Sequence, residues 1–174
     1  MLTLNECFTR LDAYQERIPL EDLRDLLADT KLTSQDVCDH MIFCDEHYAR
    51  NLLRSGPQYY ALLLCWKPGQ ASPIHDHRGA SCGVRVLEGV VTERKYQRHP
   101  AQGLIESGVN VYEAGYVCGS FDLDIHSICN EGRKNLVTLH VYSPSLTNIH
   151  IYSLKNGAVE VFTDPFAEQL MMSR

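Results

Sequence analysis

His75 and His77 stand one residue apart. In an extended strand side chains alternate, so both imidazoles would leave the same face and could take adjacent corners of one metal ion. Asp76 would then point away from that ion, toward solvent or behind the ligands. Taken alone, this spacing also fits a surface pair in a polar loop. The surroundings favour the metal: Gly69 lies six residues before His75, and Gly89 twelve after His77. Gly115, His126 and Asn130 then follow one another at intervals of eleven and four. Glycines so placed allow the tight turns that end short strands.

A second group of polar residues lies near the C-terminus. Thr138, His140 and Tyr142 alternate along one apolar stretch, with Val137, Leu139 and Val141 on the opposite face. Inside a core, a hydroxyl, an imidazole and a phenol would need partners, so this face is either a functional row or solvated. Arg50 offers a planar, permanently charged fork that matches a carboxylate, although a lone arginine is more often a surface residue.

Short strands must position these groups. The first third of the chain reads as helical: Thr3 and Glu6 have capping-box spacing, followed by Leu4, Cys7, Phe8, Leu11 and Tyr14 at helical intervals. Pro19 can open a second helix with a Leu20, Leu23, Leu26, Leu27 stripe, and Thr33 or Ser34 can cap a third. From residue 57 the texture is that of strands. Tyr59–Trp66 is one run, Val84–Tyr96 alternates around Glu88-Gly89, and Asn135–Tyr142 and Asn148–Leu154 alternate again. Asn156-Gly157 signals a two-residue hairpin. The pattern predicts one domain over 1–174, mainly β, with a helical part over 1–56 and a β-barrel over 57–165.

Composition narrows the function. A net charge of −6 argues against a nucleic-acid surface or an anionic membrane partner. The longest apolar run, Ala61–Trp66, is too short to span a bilayer, and the N-terminus lacks a secretory pattern. Seven scattered cysteines with no CxxC pair fit a reducing cytoplasm better than a disulfide framework or a cysteine-based zinc site. A cytoplasmic monomer acting on a small molecule is expected. His40, His47, His99 and His150 match no ligand position, and Tyr112, Tyr116 and Tyr152 read as packing.

The glycine and histidine spacings resemble the two motifs of the cupin superfamily, in which paired histidines and a later one meet inside a small jelly-roll-like barrel. Where that pattern has a glutamate, this chain has Cys82. Its loss would leave three neutral imidazoles and about three open positions on a six-coordinate metal. Phe121 and Leu123 stand where the pattern has proline and glycine, so the turn before His126 is expected to differ.

Five segments taken together resemble the cysteine dioxygenase family across residues 40–155. They are Tyr48-Ala49-Arg50-Asn51-Leu52, Cys65-Trp66, Ile74-His75-Asp76-His77, Cys82, and Leu139-His140-Val141-Tyr142-Ser143-Pro144. The resemblance implies that His75, His77 and His126 hold Fe(II), and that a small thiol is oxidised by O2 to a sulfinic acid. The choice of iron rests on that resemblance, since nitrogen ligands also suit zinc and copper. It implies Arg50 and Tyr48 as substrate-binding residues, with Arg50 on the carboxylate of L-cysteine. Tyr142 is implied to bind substrate and act in catalysis with His140 and Cys82, and Thr138 to stand for the family's serine behind them. A Cys82–Tyr142 thioether, as in the animal enzymes, and a buried free thiol are both consistent with the residues present. Ser143-Pro144 matches a cis peptide of the family, whereas Arg78 has no assigned role. Two rivals remain: a related dioxygenase acting on 3-mercaptopropionate or cysteamine, and a cupin that binds metal or a small ligand without turnover.

Overall fold

The computed structural model describes every residue except 122, 123, 165 and 167–174. Helix α1, Leu4–Asp12, starts at Thr3, whose side chain and backbone exchange hydrogen bonds with Glu6 as its capping-box spacing predicts. Helix α2, Leu20–Asp29, follows Pro19 and buries Leu23 and Leu27. The third segment, Ser34–His40, is a 3₁₀ helix. At its start Thr33 donates from backbone and hydroxyl to the Asp36 carboxylate.

The strands come next: β1 Ala49–Ser55, β2 Tyr60–Trp66, β3 Ile74–His75, β4 Ser81–Glu88, β5 Val90–His99 and β6 Gly103–Glu113. They continue as β7 Val117–Phe121, β8 Ile125–Cys129, β9 Leu136–Ser143, β10 Asn148–Tyr152 and β11 Val159–Thr163. One sheet has the order β1-β2-β9-β4-β7, the other β11-β10-β3-β8-β5-β6. The mainly β barrel behind short helices is therefore the fold the sequence predicts.

Two local expectations need correction. The helical part does not reach residue 56, because β1 already begins at Ala49. Adjacent Leu52 and Leu53 break the period of two there, and a register shift between Leu52 and Arg54 absorbs the break. The hairpin at Asn156-Gly157 forms, yet Tyr152 pairs with Val159, so its loop runs from Ser153 to Ala158 rather than over two residues. Gly157 supplies the left-handed φ of 67° inside that longer loop. In the turn before His126, Leu123 lies outside the described residues.

Strands β2 and β9 are buried along their whole length and divide the core in two. Ala61, Leu63, Cys65, Val137, Leu139 and Val141 face the helices, packing with Leu11, Leu23 and Leu27. Tyr60, Leu62, Leu64, Trp66 and Tyr142 face the barrel interior. Each fully buried leucine contributes about 1.5–3 kcal/mol relative to exposure. Gly83 makes this packing close, since a Cβ there would lie 2.9 Å from Leu27 Cδ1 and 3.1 Å from Leu23 Cβ. Helix α2 thus sits directly against β4, the strand that carries Cys82.

Candidate metal centre and substrate pocket

Strand pairing brings the three histidines together. His75 on β3 lies opposite His126 on β8, and His77 follows two residues after His75. Their ring centroids are 4.9–5.2 Å apart, and one ligand nitrogen from each lies within 4.8 Å of the others. The Nδ1 atom of every ring is engaged from behind. His75 Nδ1 contacts the Pro73 carbonyl at 2.9 Å, His77 Nδ1 the Ser120 hydroxyl at 3.2 Å, and His126 Nδ1 a Glu93 oxygen at 2.8 Å. Each ring then has Nε2 free to face inward, and His126 Nε2 is buried without a hydrogen-bond partner. A partnerless buried nitrogen is costly unless a ligand satisfies it, so this donor set fits a metal ion.

The electrostatics favour ligand lone pairs. Burial, reinforced by the neighbouring His126, lowers the pKa of His75 to about 3, and burial pushes His77 well below the usual imidazole range. Both are therefore neutral at pH 7. Glu93 is the carboxylate behind the centre. Burial alone would raise its pKa, but hydrogen bonds from His126 and Asn110 outweigh this and bring it down to about 2. Tyr112, which the sequence suggests is packing, also donates to Glu93 at 3.2 Å. Asp76 does point away from the point where the three histidines converge, but not into solvent. It is buried and accepts from His150 Nδ1 at 2.8 Å and Tyr152 OH at 2.7 Å, tying β3 to β10.

A cavity of about 130 Å³ opens beside the histidines, well below the roughly 300–1,000 Å³ of sites for drug-sized ligands. Its wall includes Tyr48, Arg50, Cys82, His140 and Tyr142 as well as the three histidines. Tyr48 stacks on Trp66 with centroids 4.1 Å apart, and Trp66 Nε1 donates to Thr138 Oγ1 at 3.1 Å. Thr138 Oγ1 lies 2.9 Å from His140 Nε2, and the Tyr142 hydroxyl 3.1 Å from His140 Nδ1. The row is thus continuous from Trp66 to Tyr142, and either neutral tautomer of His140 completes it. Burial holds His140 down at about 3 and keeps Tyr142 protonated by pushing its phenol well above the ordinary range.

Cys82 stands directly opposite Tyr142 in the β4–β9 ladder, with its sulfur 3.9 Å from His140 Nδ1. Burial raises its thiol pKa well above normal. Ser143-Pro144 is cis. Arg50 projects from β1 into the cavity, but its fork is not free. Nη1 and Nη2 donate to the two carboxylate oxygens of Asp164 at 3.2 and 2.5 Å. Burial opposes the charge on Arg50, and Asp164 more than offsets that, holding the guanidinium protonated.

Comparison with known proteins decides the relationship. The family model for cysteine dioxygenase type I matches residues 7–155. The chain belongs to the cysteine dioxygenase type I family. A cysteine dioxygenase type 1 from Danio rerio is 27% identical over 150 residues, covering 82% of this chain and 74% of that protein. A Klebsiella pneumoniae protein with a double-stranded β-helix domain superposes with a TM-score of 0.51 at 15% identity, over 78% of this chain and 100% of its own. A cupin-superfamily sugar phosphate isomerase from Silicibacter pomeroyi gives 0.50 at 15%, over 68% and 78%. These two structures speak to the fold alone.

Cysteine dioxygenase family membership makes the chain kin to oxidoreductases that use dioxygen, with a three-histidine site able to hold a metal. Sequence reasoning missed Glu93, Ser120, Tyr60 and Asp164. Only Glu93 left a signal, as an acid between Val91 and Lys95 on the inward register of an alternating strand. Among the described residues no helix is long and apolar enough to cross a membrane.

Proposed function

We propose that this chain is an Fe(II)-dependent dioxygenase that converts a small thiol, L-cysteine first among the candidates, to its sulfinic acid. The observation that carries this reading is the single cavity shared by three inward-facing imidazoles and the Thr138–His140–Tyr142 row. The reaction balances without an external reductant, because a thiol plus one O2 has the composition of the sulfinic acid.

Fe(II) held by His75, His77 and His126 would supply a common site for thiolate and dioxygen and a path for electrons between them. The remaining work falls to the chain. Tyr142 keeps its proton; with His140 in the Nδ1–H tautomer, donating to the Tyr142 oxygen and accepting at Nε2 from Thr138, the phenol O–H is left as a donor into the cavity. Arg50 and Tyr48 line the end of the cavity where a substrate carboxylate would lie once Asp164 yields the Arg50 fork. Cys82, facing Tyr142, either remains a buried thiol or forms a thioether that locks the ring. We take the chain to act as a monomer in a reducing cytoplasm, the compartment that seven scattered cysteines with no CxxC pair fit best.

The test is anaerobic purification, addition of Fe(II), and oxygen uptake with L-cysteine, 3-mercaptopropionate and cysteamine. Thiol-dependent uptake with one equivalent of iron per chain is expected, and His126→Ala should lose both. Iron binding with no uptake on any thiol would overturn the enzyme in favour of a metal-binding cupin.

A further inference from the structure

Asp164 immediately follows β11 and lies beyond residues 7–155, the span that matches the family model. Its side chain is only 2% exposed. Both of its oxygens are saturated. Oδ1 accepts from Arg50 Nη1 at 3.2 Å and from the Phe166 backbone N–H at 3.0 Å; Oδ2 accepts from Arg50 Nη2 and from Tyr60 OH, both at 2.5 Å. The Asp164 backbone is itself tied to Thr147 by a 3.0 Å hydrogen bond. The acid is therefore built in on the Nη1–Nη2 edge of the guanidinium, a bidentate edge that matches a carboxylate. With Arg50 and Asp164 paired, that end of the cavity carries no net charge.

We propose that Asp164 determines specificity by occupying the Arg50 fork, so that a thiol bearing a carboxylate must displace it and one lacking a carboxylate need not. This rests on the reading that Arg50 faces the substrate. The exchange trades one pair of charge-assisted hydrogen bonds for another, and Asp164 retains Tyr60 OH and the Phe166 N–H when it leaves Arg50. A carboxylate thiol thus gains little from the fork while Asp164 is present, and gains the contact in full when Asp164 is removed. Cysteamine, with no carboxylate, takes no part in the exchange.

The experiment compares L-cysteine, 3-mercaptopropionate and cysteamine on the iron-loaded protein and on Asp164→Asn and Asp164→Ser. KM and kcat come from oxygen uptake, and affinity from anaerobic titration, which needs no turnover. Expected is a rise of about tenfold in the preference for either carboxylate thiol over cysteamine, carried by KM and by the anaerobic affinity. An unchanged or reduced preference in both variants would overturn the proposal, leaving Asp164 as structural support for Arg50. A crystal of the unaltered protein with L-cysteine, kept anaerobic, guards against variants that misfold. Asp164 should be off the fork there and on it with cysteamine, and an L-cysteine complex with Asp164 still on the fork overturns the exchange. Absence of oxygen uptake on every thiol would sink the dioxygenase reading alone, because the titrations and the crystal still judge Asp164.

Discussion

Glu93 holds His126 from behind, its carboxylate 2.8 Å from His126 Nδ1, on neighbouring strands β5 and β8. Where the cupin pattern has a glutamate this chain has Cys82, and the structure puts an acid behind His126 instead. An anion there fixes the ring, keeps the proton on Nδ1 and makes Nε2 a better donor to a metal. Glu93→Gln should therefore weaken Fe(II) binding about ten- to hundredfold without removing a ligand. Competition against a chelator of known affinity measures it; an affinity equal to wild type would make Glu93 a packing residue.

The Arg50–Asp164 pair makes Arg50 a poor site for a simple alanine test. Arg50→Ala leaves a buried carboxylate unpaired, which costs about 3–5 kcal/mol. Denaturant unfolding should show that loss, and the double variant with Asp164→Asn should recover at least half of it. Measured against Asp164→Asn alone, the double variant should lose about ten- to hundredfold more on L-cysteine than on cysteamine. Equal losses on the two thiols would confine Arg50 to the fold.

Cys82 and Tyr142 face each other across β4 and β9, close enough in register for a thioether to form in place. The bond would replace one S–H and one ring C–H, with two protons and two electrons passing to dioxygen. Intact mass and peptide mapping should find a species two hydrogens lighter that accumulates with aerobic turnover. It should be absent from Cys82→Ser and Tyr142→Phe. Cys82 that stays fully alkylatable after denaturation, even following long turnover, would rule the bond out.

Thiol titration gives a pH test away from the site. Burial raises Cys65 from 9.0 to about 11, against a smaller opposing contact from Asn51. At pH 8 about one Cys65 in a thousand is then a thiolate. Alkylation of the folded protein should spare Cys65 while the exposed Cys38 reacts, and Cys65 labelling should rise about tenfold per pH unit from 8 to 10. Because the folded pKa is the higher one, this thiol's contribution to stability is intact below pH 9. It is lost as pH climbs from 9.0 toward about 11. Rapid Cys65 labelling at pH 7 would mean that β2 opens more readily than its burial implies.

The three clustered histidines were legible in the sequence because their spacing is local: two residues for one pair, and a glycine-flanked motif for the third. The polar row on β9 was legible for the same reason, since alternation alone puts Thr138, His140 and Tyr142 on one face. The partners that tune these groups were not. Glu93 reaches His126 across 33 residues and Asp164 reaches Arg50 across 114, and no local pattern encodes such pairings. Strand β6 escaped notice because it is largely exposed on both faces, so its Val109-Asn110-Val111 alternation marks no buried side. Strand β1 was hidden by its adjacent leucines and the bulge they require.

The partition of the core by β2 and β9 has an evolutionary consequence. Val137, Leu139 and Val141 pack against the helices, while His140 and Tyr142 line the cavity and Thr138 holds His140, so β9 has no position where drift is free. A volume change in α2 would reach Cys82 through Gly83 across a single layer of side chains. Lineages that alter the chemistry of such a chain would therefore have to repack their helices in step. Innovation should be easier to find at the two ends of the chamber, where Arg50 and the segment after β11 meet, than along its central strand.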